Sequence, residues 1–165
     1  MDLNEHEATP LPTLPAWLEG LNRAILDSAL DCIIVMNASG HILEFNPAAE
    51  RVFGYTREEA VGKELAELII PAALRERHRQ GLRHFLETGE GPVLGRRIEI
   101  TGVRADGSEI LVELAITTFH IQKEPVFAAY LRDITARKQG EEARRTRRRQ
   151  GTSLCSSRKR GWMRT

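Results

Sequence analysis

Apolar and polar residues alternate most cleanly between Arg97 and Phe119, RIEITGVRADGSEILVELAITTF. Ile110, Val112, Leu114 and Ile116 fall on one face of an extended chain, and Glu109, Glu113 and Thr117 on the other. Upstream, Ile98 and Ile100 oppose Glu99 and Thr101 in the same way. The two stretches therefore predict a β-hairpin. A two-residue turn at Asp106-Gly107 would pair Ile100 with Glu113 and mix the faces. A three-residue turn, Ala105-Asp106-Gly107 with Gly107 left-handed, pairs Ile98 with Leu114 and Ile100 with Val112. The second register brings both apolar faces to the same side, which then needs a cover.

The rest of the chain supplies it. Residues 16–30 place Leu18, Leu21, Ile25 and Ala29 on one helical face and predict an amphipathic helix. Two short strands, 32–37 and 41–45, follow around Asn37-Ala38-Ser39-Gly40. Asn46-Pro47 is a cap followed by a first-position proline, and the helix it starts stops at Gly54. Thr56 and Glu59 have capping-box spacing for a further short helix ending near Gly62. Pro71 opens a longer helix closed by Gly89. A last strand, 126–132, comes after a loop at Gln122-Lys123-Glu124-Pro125. Two strands, a helical block and three strands predict an α+β domain with helices packed on one face of an antiparallel sheet.

Composition changes the picture in two places. The net charge of +1 conceals eleven Arg/Lys against two Glu from Ala136 onward, a net of +9, which leaves −8 on the preceding residues. An acidic domain thus precedes a basic segment. The wholly apolar runs, such as Cys32–Met36, do not exceed about six residues and are too short to span a bilayer. The start, MDLNEHEATPLPTLP, is acidic and proline-rich, unlike a secretory signal, so a cytoplasmic location is expected. Cys32 and Cys155 have no metal-ligand spacing, and Cys32 reads as a small core residue. No Gly-x-Ser-x-Gly, P-loop or His-Glu-x-x-His is present, and the chain is expected to be non-enzymatic.

Three pieces carry a resemblance: DCIIVMNASGHILEFNPAAERVFGYTREEAVGK, VRADGSEILVEL and LRDITARK. In this order and spacing the chain resembles a PAS domain, the sensory module of signalling kinases and related regulators. The resemblance implies a five-stranded antiparallel sheet with helices on one face and a cavity that can hold a ligand. With the composition and periodicity above, the chain divides into a leader (1–15), an N-terminal helix (16–30), a sensory domain (31–136), and a basic linker helix with a disordered tail (137–165). The resemblance further implies that Asp133, Ile134 and Thr135 form the relay into an output helix. A homodimer through the 16–30 helix is expected, together with an effector kinase, cyclase or transcription-regulator domain in cis or in trans.

The family's cofactors are tested by the residues. Flavin photosensors carry a reactive cysteine where this chain has Leu65, so a flavin adduct is not expected. The haem-binding oxygen sensors place a proximal histidine in the helix before the central hairpin, and ungapped counting puts it at His78. His78 shares a helical arc with Leu74 and Leu82, and Ile98 occupies the position of those sensors' distal arginine. His78, Leu74, Leu82 and Ile98 are therefore the candidate cofactor-binding residues, with His78 a metal ligand only if haem is bound. The competing reading is a partly buried helix histidine with a structural role. From another class, the basic tail suggests weak, sequence-independent nucleic-acid binding.

Overall fold

The computed structural model describes residues 15–91 and 93–158. The expected leader, up to residue 14, lies outside them.

Helix α1 (Ala16–Ser28) leads into β1 (Cys32–Asn37) and β2 (Ile42–Phe45). Three short helices follow: α2 (Pro47–Phe53), α3 (Arg57–Ala60) and α4 (Leu65–Ile69). A 3-10 turn at Ala72–Leu74 then runs into α5 (Arg75–Thr88). Strands β3 (Arg97–Val103), β4 (Glu109–Ile121) and β5 (Glu124–Asp133) complete the domain, and α6 (Thr135–Arg158) leaves it. The strands form one antiparallel sheet in the order β2-β1-β5-β4-β3, so the first and last strands of the domain meet at its centre.

The register of the central hairpin follows from its apolar alternation. Ile98 lies opposite Leu114 and Ile100 opposite Val112. The turn closes with Gly107 at φ 83° and its N–H donating to the Arg104 carbonyl at 2.9 Å. Only a residue without Cβ holds this conformation cheaply. Ile110, Val112 and Leu114 are buried with Cys32, Ile34, Met36, Phe127 and Leu131 on the inner face. Phe45, Phe53 and Ile69, from β2 and the helical block, close the core above them.

Three expectations change. The 122–125 loop is a two-residue turn at Gln122-Lys123, and β5 begins at Glu124. Both turn residues have positive φ, 51° and 71°, the hand that matches a twisted two-residue hairpin. Pro125 stands opposite His120, one pair from the turn, where the nitrogen points away from the partner strand and needs no hydrogen. Helix α4 was hidden because five residues hold less than two turns of periodicity. The basic segment stays helical further than expected: α6 runs on to Arg158, across residues expected to be disordered. Arg, Gln, Glu and Ala are good helix formers, and missing apolar periodicity reports on packing, not on helicity. The remainder of the expected tail, 159–165, lies outside the described residues.

Candidate sensory pocket and output junction

The entry to the sheet is built around one amide. Asn46 is 1% exposed, and its Oδ1 accepts from Ile33 N at 2.9 Å and from Ala49 N at 3.0 Å. Its Nδ2 donates to the carbonyls of Asp31 at 3.1 Å and Leu26 at 3.3 Å. The side chain caps α2, as its place before Pro47 predicts, and also ties the end of α1 to β1.

The exit is built around a carboxylate. Asp133 Oδ1 accepts from Thr135 N at 2.8 Å, and Oδ2 from Arg104 Nη2 at 3.1 Å. Ile134, 2% exposed, donates its N–H to the Leu111 carbonyl at 2.9 Å, and Leu111 N donates to Thr135 Oγ1 at 3.3 Å. The relay triplet expected at 133–135 thus stands where β5 hands over to α6. Burial pushes the Asp133 carboxyl up, but the hydrogen bonds from Thr135 and Arg104 outweigh it and hold the group below its ordinary range. One turn further, Lys138 Nζ lies 2.8 Å from Glu99 Oε2 and Arg137 3.6 Å from Glu99 Oε1, so the first turn of α6 is pinned to β3. Glu113, opposite Glu99 on β4, takes Arg97 at 3.2 Å. These pairs span separations no local pattern reveals, although the cluster of Arg137 and Lys138 directly after the relay triplet is a visible hint.

The four expected cofactor residues do not share one cavity. His78 and Leu82 line a half-open pocket of about 290 Å³ between α5 and the β1–β2 turn. Its other walls are Ala38, Gly40, His41, Glu64, Arg79, Arg83 and Leu86, with Ser39 at the rim. Leu74 is 42% exposed in the 3-10 turn before α5. Ile98 is half-buried against the core on β3, outside this pocket. On α5, Phe85 meets the Phe127 ring of β5 edge-on at 5.2 Å. The His78 imidazole suits iron, but Leu74 and Ile98, expected to bury a macrocycle beside it, do not line its pocket.

Sequence patterns missed the polar wall of this pocket. Arg79 binds Glu64 through two hydrogen bonds, 2.6 and 2.8 Å, across fifteen residues of chain. That fork holds the Glu64 carboxyl below its ordinary range and raises Arg79. A backbone bridge sets His41 beside Glu64. Burial pushes the His78 imidazole down, against the opposing pull of Glu64, so the ring is neutral at neutral pH. Its Nδ1 is buried without a hydrogen-bond partner. Cys32 is inert by contrast: burial raises its thiol to about 11, which suits the core role expected of it. Among the described residues no group of three or more His, Cys, Asp or Glu could hold a metal ion, and no helix is long and apolar enough to cross a membrane.

Known proteins share this architecture. A PAS-domain family model matches residues 30–136. The chain is 32% identical over 117 residues to the sensor protein FixL of Bradyrhizobium diazoefficiens, covering 71% of this chain and 23% of that protein. It is 30% identical over 115 residues to the oxygen sensor protein DosP of Escherichia coli K12, covering 70% and 14%. With the cell-division control histidine kinase PdhS of Brucella ovis it shares 35% over 131 residues, covering 78% and 12%. The chain therefore spans less than a quarter of the length of each of these curated relatives. Among solved structures, the PAS domain of an HTR-like protein from Haloarcula marismortui superposes with a TM-score of 0.55 at 26% identity, covering 72% of this chain and 93% of that one. Family match, relatives and sheet topology agree: the chain belongs to the PAS domain family and is a sensory domain of signal transduction.

Proposed function

We propose that this chain is a non-catalytic, cytoplasmic sensory module that passes a ligand- or partner-dependent change from its sheet to an effector through α6. One observation carries the reading. The output helix begins as a continuation of the central strand β5, and Asp133, Thr135 and Lys138 fasten it to β3 and β4, so a shift of those strands moves the helix base. The effector is a kinase, cyclase or transcription-regulator domain, in two-component or transcriptional control. Self-association runs through α1, where Trp17 is 69% and Ile25 55% exposed. Light scattering of the full chain and of a chain starting at Asp31 tests this part, and a monomer in both ends it. For the relay, α6 is fused in register to a histidine-kinase catalytic core. Asp133→Ala is expected to shift its basal activity, and an unchanged activity refutes the relay.

A second reading, haem at His78, draws on the unpartnered buried Nδ1 and on the likeness to an oxygen sensor. Hemin titration of wild type and His78→Ala tests it. No His78-dependent Soret band is expected, since Leu74 and Ile98 do not line the His78 pocket. A reading of another class, weak nucleic-acid binding, has α6 carrying exposed Arg144, Arg145 and Arg147 beyond the sheet. Salt-dependent anisotropy with labelled DNA, lost on deleting 137–165, would establish it.

A further inference from the structure

The face of the sheet turned away from the core carries a row of charges. Val112, Leu114 and Leu131 are buried, so strand alternation sets Glu113 and Arg132 on the opposite face. These two stand opposite each other on β4 and β5, and with Asp31 and Arg97 they line one small hollow. Glu99, opposite Glu113 on β3, extends the row to α6.

The row joins the two ends of the domain. Asp31, one residue before β1, takes Arg132 through two hydrogen bonds of 2.9 and 2.8 Å. Glu113 takes Arg97 at 3.2 Å and lies 4.0 Å from Arg137. Glu99 takes Lys138 at 2.8 Å and Arg137 at 3.6 Å. Three carboxylates thus serve four cations, and the neighbouring pair of Arg104 and Asp133 adds one charge of each sign. Partners in such a row are shared, and losing one carboxylate redistributes the rest. Glu113 is the least exposed member, at 23% against 37% or more for the others, so water replaces its partners least well.

We propose that Arg132 is a two-partner switch coupling the α1 end of the domain to the output helix, holding Asp31 in one state and Glu113 in the other. The Asp31 backbone is fixed by Asn46, but its carboxylate is 40% exposed and can turn away. Side chains directly opposite in an antiparallel pair lie within about 5 Å, so Glu113 is in reach once Asp31 lets go. Glu113 then gives up Arg137 and shares Arg97, whose next carboxylate is Glu99, two residues along on the same face of β3. Glu99 anchors Lys138, so the first turn of α6 loosens. Half-exposed pairs make each exchange inexpensive. Contacts made at α1 thereby reach α6 without passing through the interior. The switch adds a second input to the sensory reading and rests on α6 being the output, while the coupling itself is measurable without an effector.

The test is a double-mutant cycle in the full chain, read by hydrogen exchange at the Lys138–Glu141 amides of α6. Asp31→Asn, which releases Arg132, is expected to raise exchange there about threefold. Glu113→Gln, which removes the second partner, is expected to raise it as well, and the double variant no further than Glu113→Gln alone. Arg23→Gln, which breaks only the pair with Asp27 within α1, is expected to leave α6 unchanged. Unchanged exchange in Asp31→Asn, or additive effects in the double variant, overturn the proposal. So does a rise of equal size at Ala48–Arg51, which would mark general destabilisation. A kinase chimera indifferent to Asp133→Ala sinks the relay and leaves this cycle standing.

Discussion

The sheet meets its flanking helices at two polar junctions that solve one problem differently. At the entry, neutral Asn46 is sealed at 1% exposure, and its four side-chain hydrogen bonds reach α1, α2, β1 and the segment between α1 and β1. At the exit, charged Asp133 sits at 31% side-chain exposure and shares its load with Arg104 and Thr135, while Lys138 and Glu99 stand nearby at 37% and 41%. Breaking the entry leaves desolvated groups with no water to replace the amide. Breaking the exit exposes groups that water can satisfy, so rearrangement there is cheap. A buried neutral hub fixes geometry, and a half-exposed ionic one can switch. The output helix is attached at the second kind.

The contrast can be broken at four points. Asn46→Ala removes a helix cap and unpairs buried donors and acceptors, and should cost about 3 kcal/mol in chemical denaturation. A loss below that of the exit variants would reverse the ranking of the two hubs. Asp133→Ala should cost only about 1 kcal/mol globally. It should also raise hydrogen exchange at Thr135–Lys138 well above exchange at Ala48–Arg51, and equal protection at both would show the exit is no looser than the entry.

Acid sharpens the difference, because only one hub titrates. The Asp133 carboxyl is held below its ordinary range, so its contribution is whole above the unfolded value of about 3.9 and is lost as pH falls through the folded value. Exchange at the base of α6 should therefore rise below about pH 4 in wild type and stay flat in Asp133→Asn, apart from changes common to both proteins. An equal rise in the variant would assign it to other carboxylates. The smallest effect is expected at Lys138→Gln, about 0.5 kcal/mol or less in thermal melts, vanishing in high salt. A larger, salt-independent loss would make this pair structural.

Much of this fold was legible because its determinants are local. The turn at Gly107, the cap at Asn46, the capping box of Thr56 and Glu59 and the stop at Gly54 each lie within about five residues of their partners, and each is present in the structure. The Gln122-Lys123 turn was not legible. Neither residue favours positive φ, and the conformation is imposed by the ten cross-strand pairs from Val112–Asp133 to Ile121–Glu124. The candidate site divides the same way. The relay triplet was found through its family motif, and His78 through its helical arc. Helical arc alone could not tell that Leu74 faces water, that Ile98 belongs to the core, or that Phe85 meets Phe127 edge-on.

By itself, the sequence determined the strands, the sheet's buried face, the central hairpin's register and the place where the domain hands over to α6. Periodicity and turn chemistry act over neighbouring residues and need no knowledge of the rest. Tertiary structure alone decided which charges meet: Glu64 with Arg79, Asp31 with Arg132, Arg104 with Asp133 and Glu99 with Lys138. An ionic contact has no period along a chain. Its partners are chosen when packing brings surfaces together, and here that choice made the pocket and the output junction.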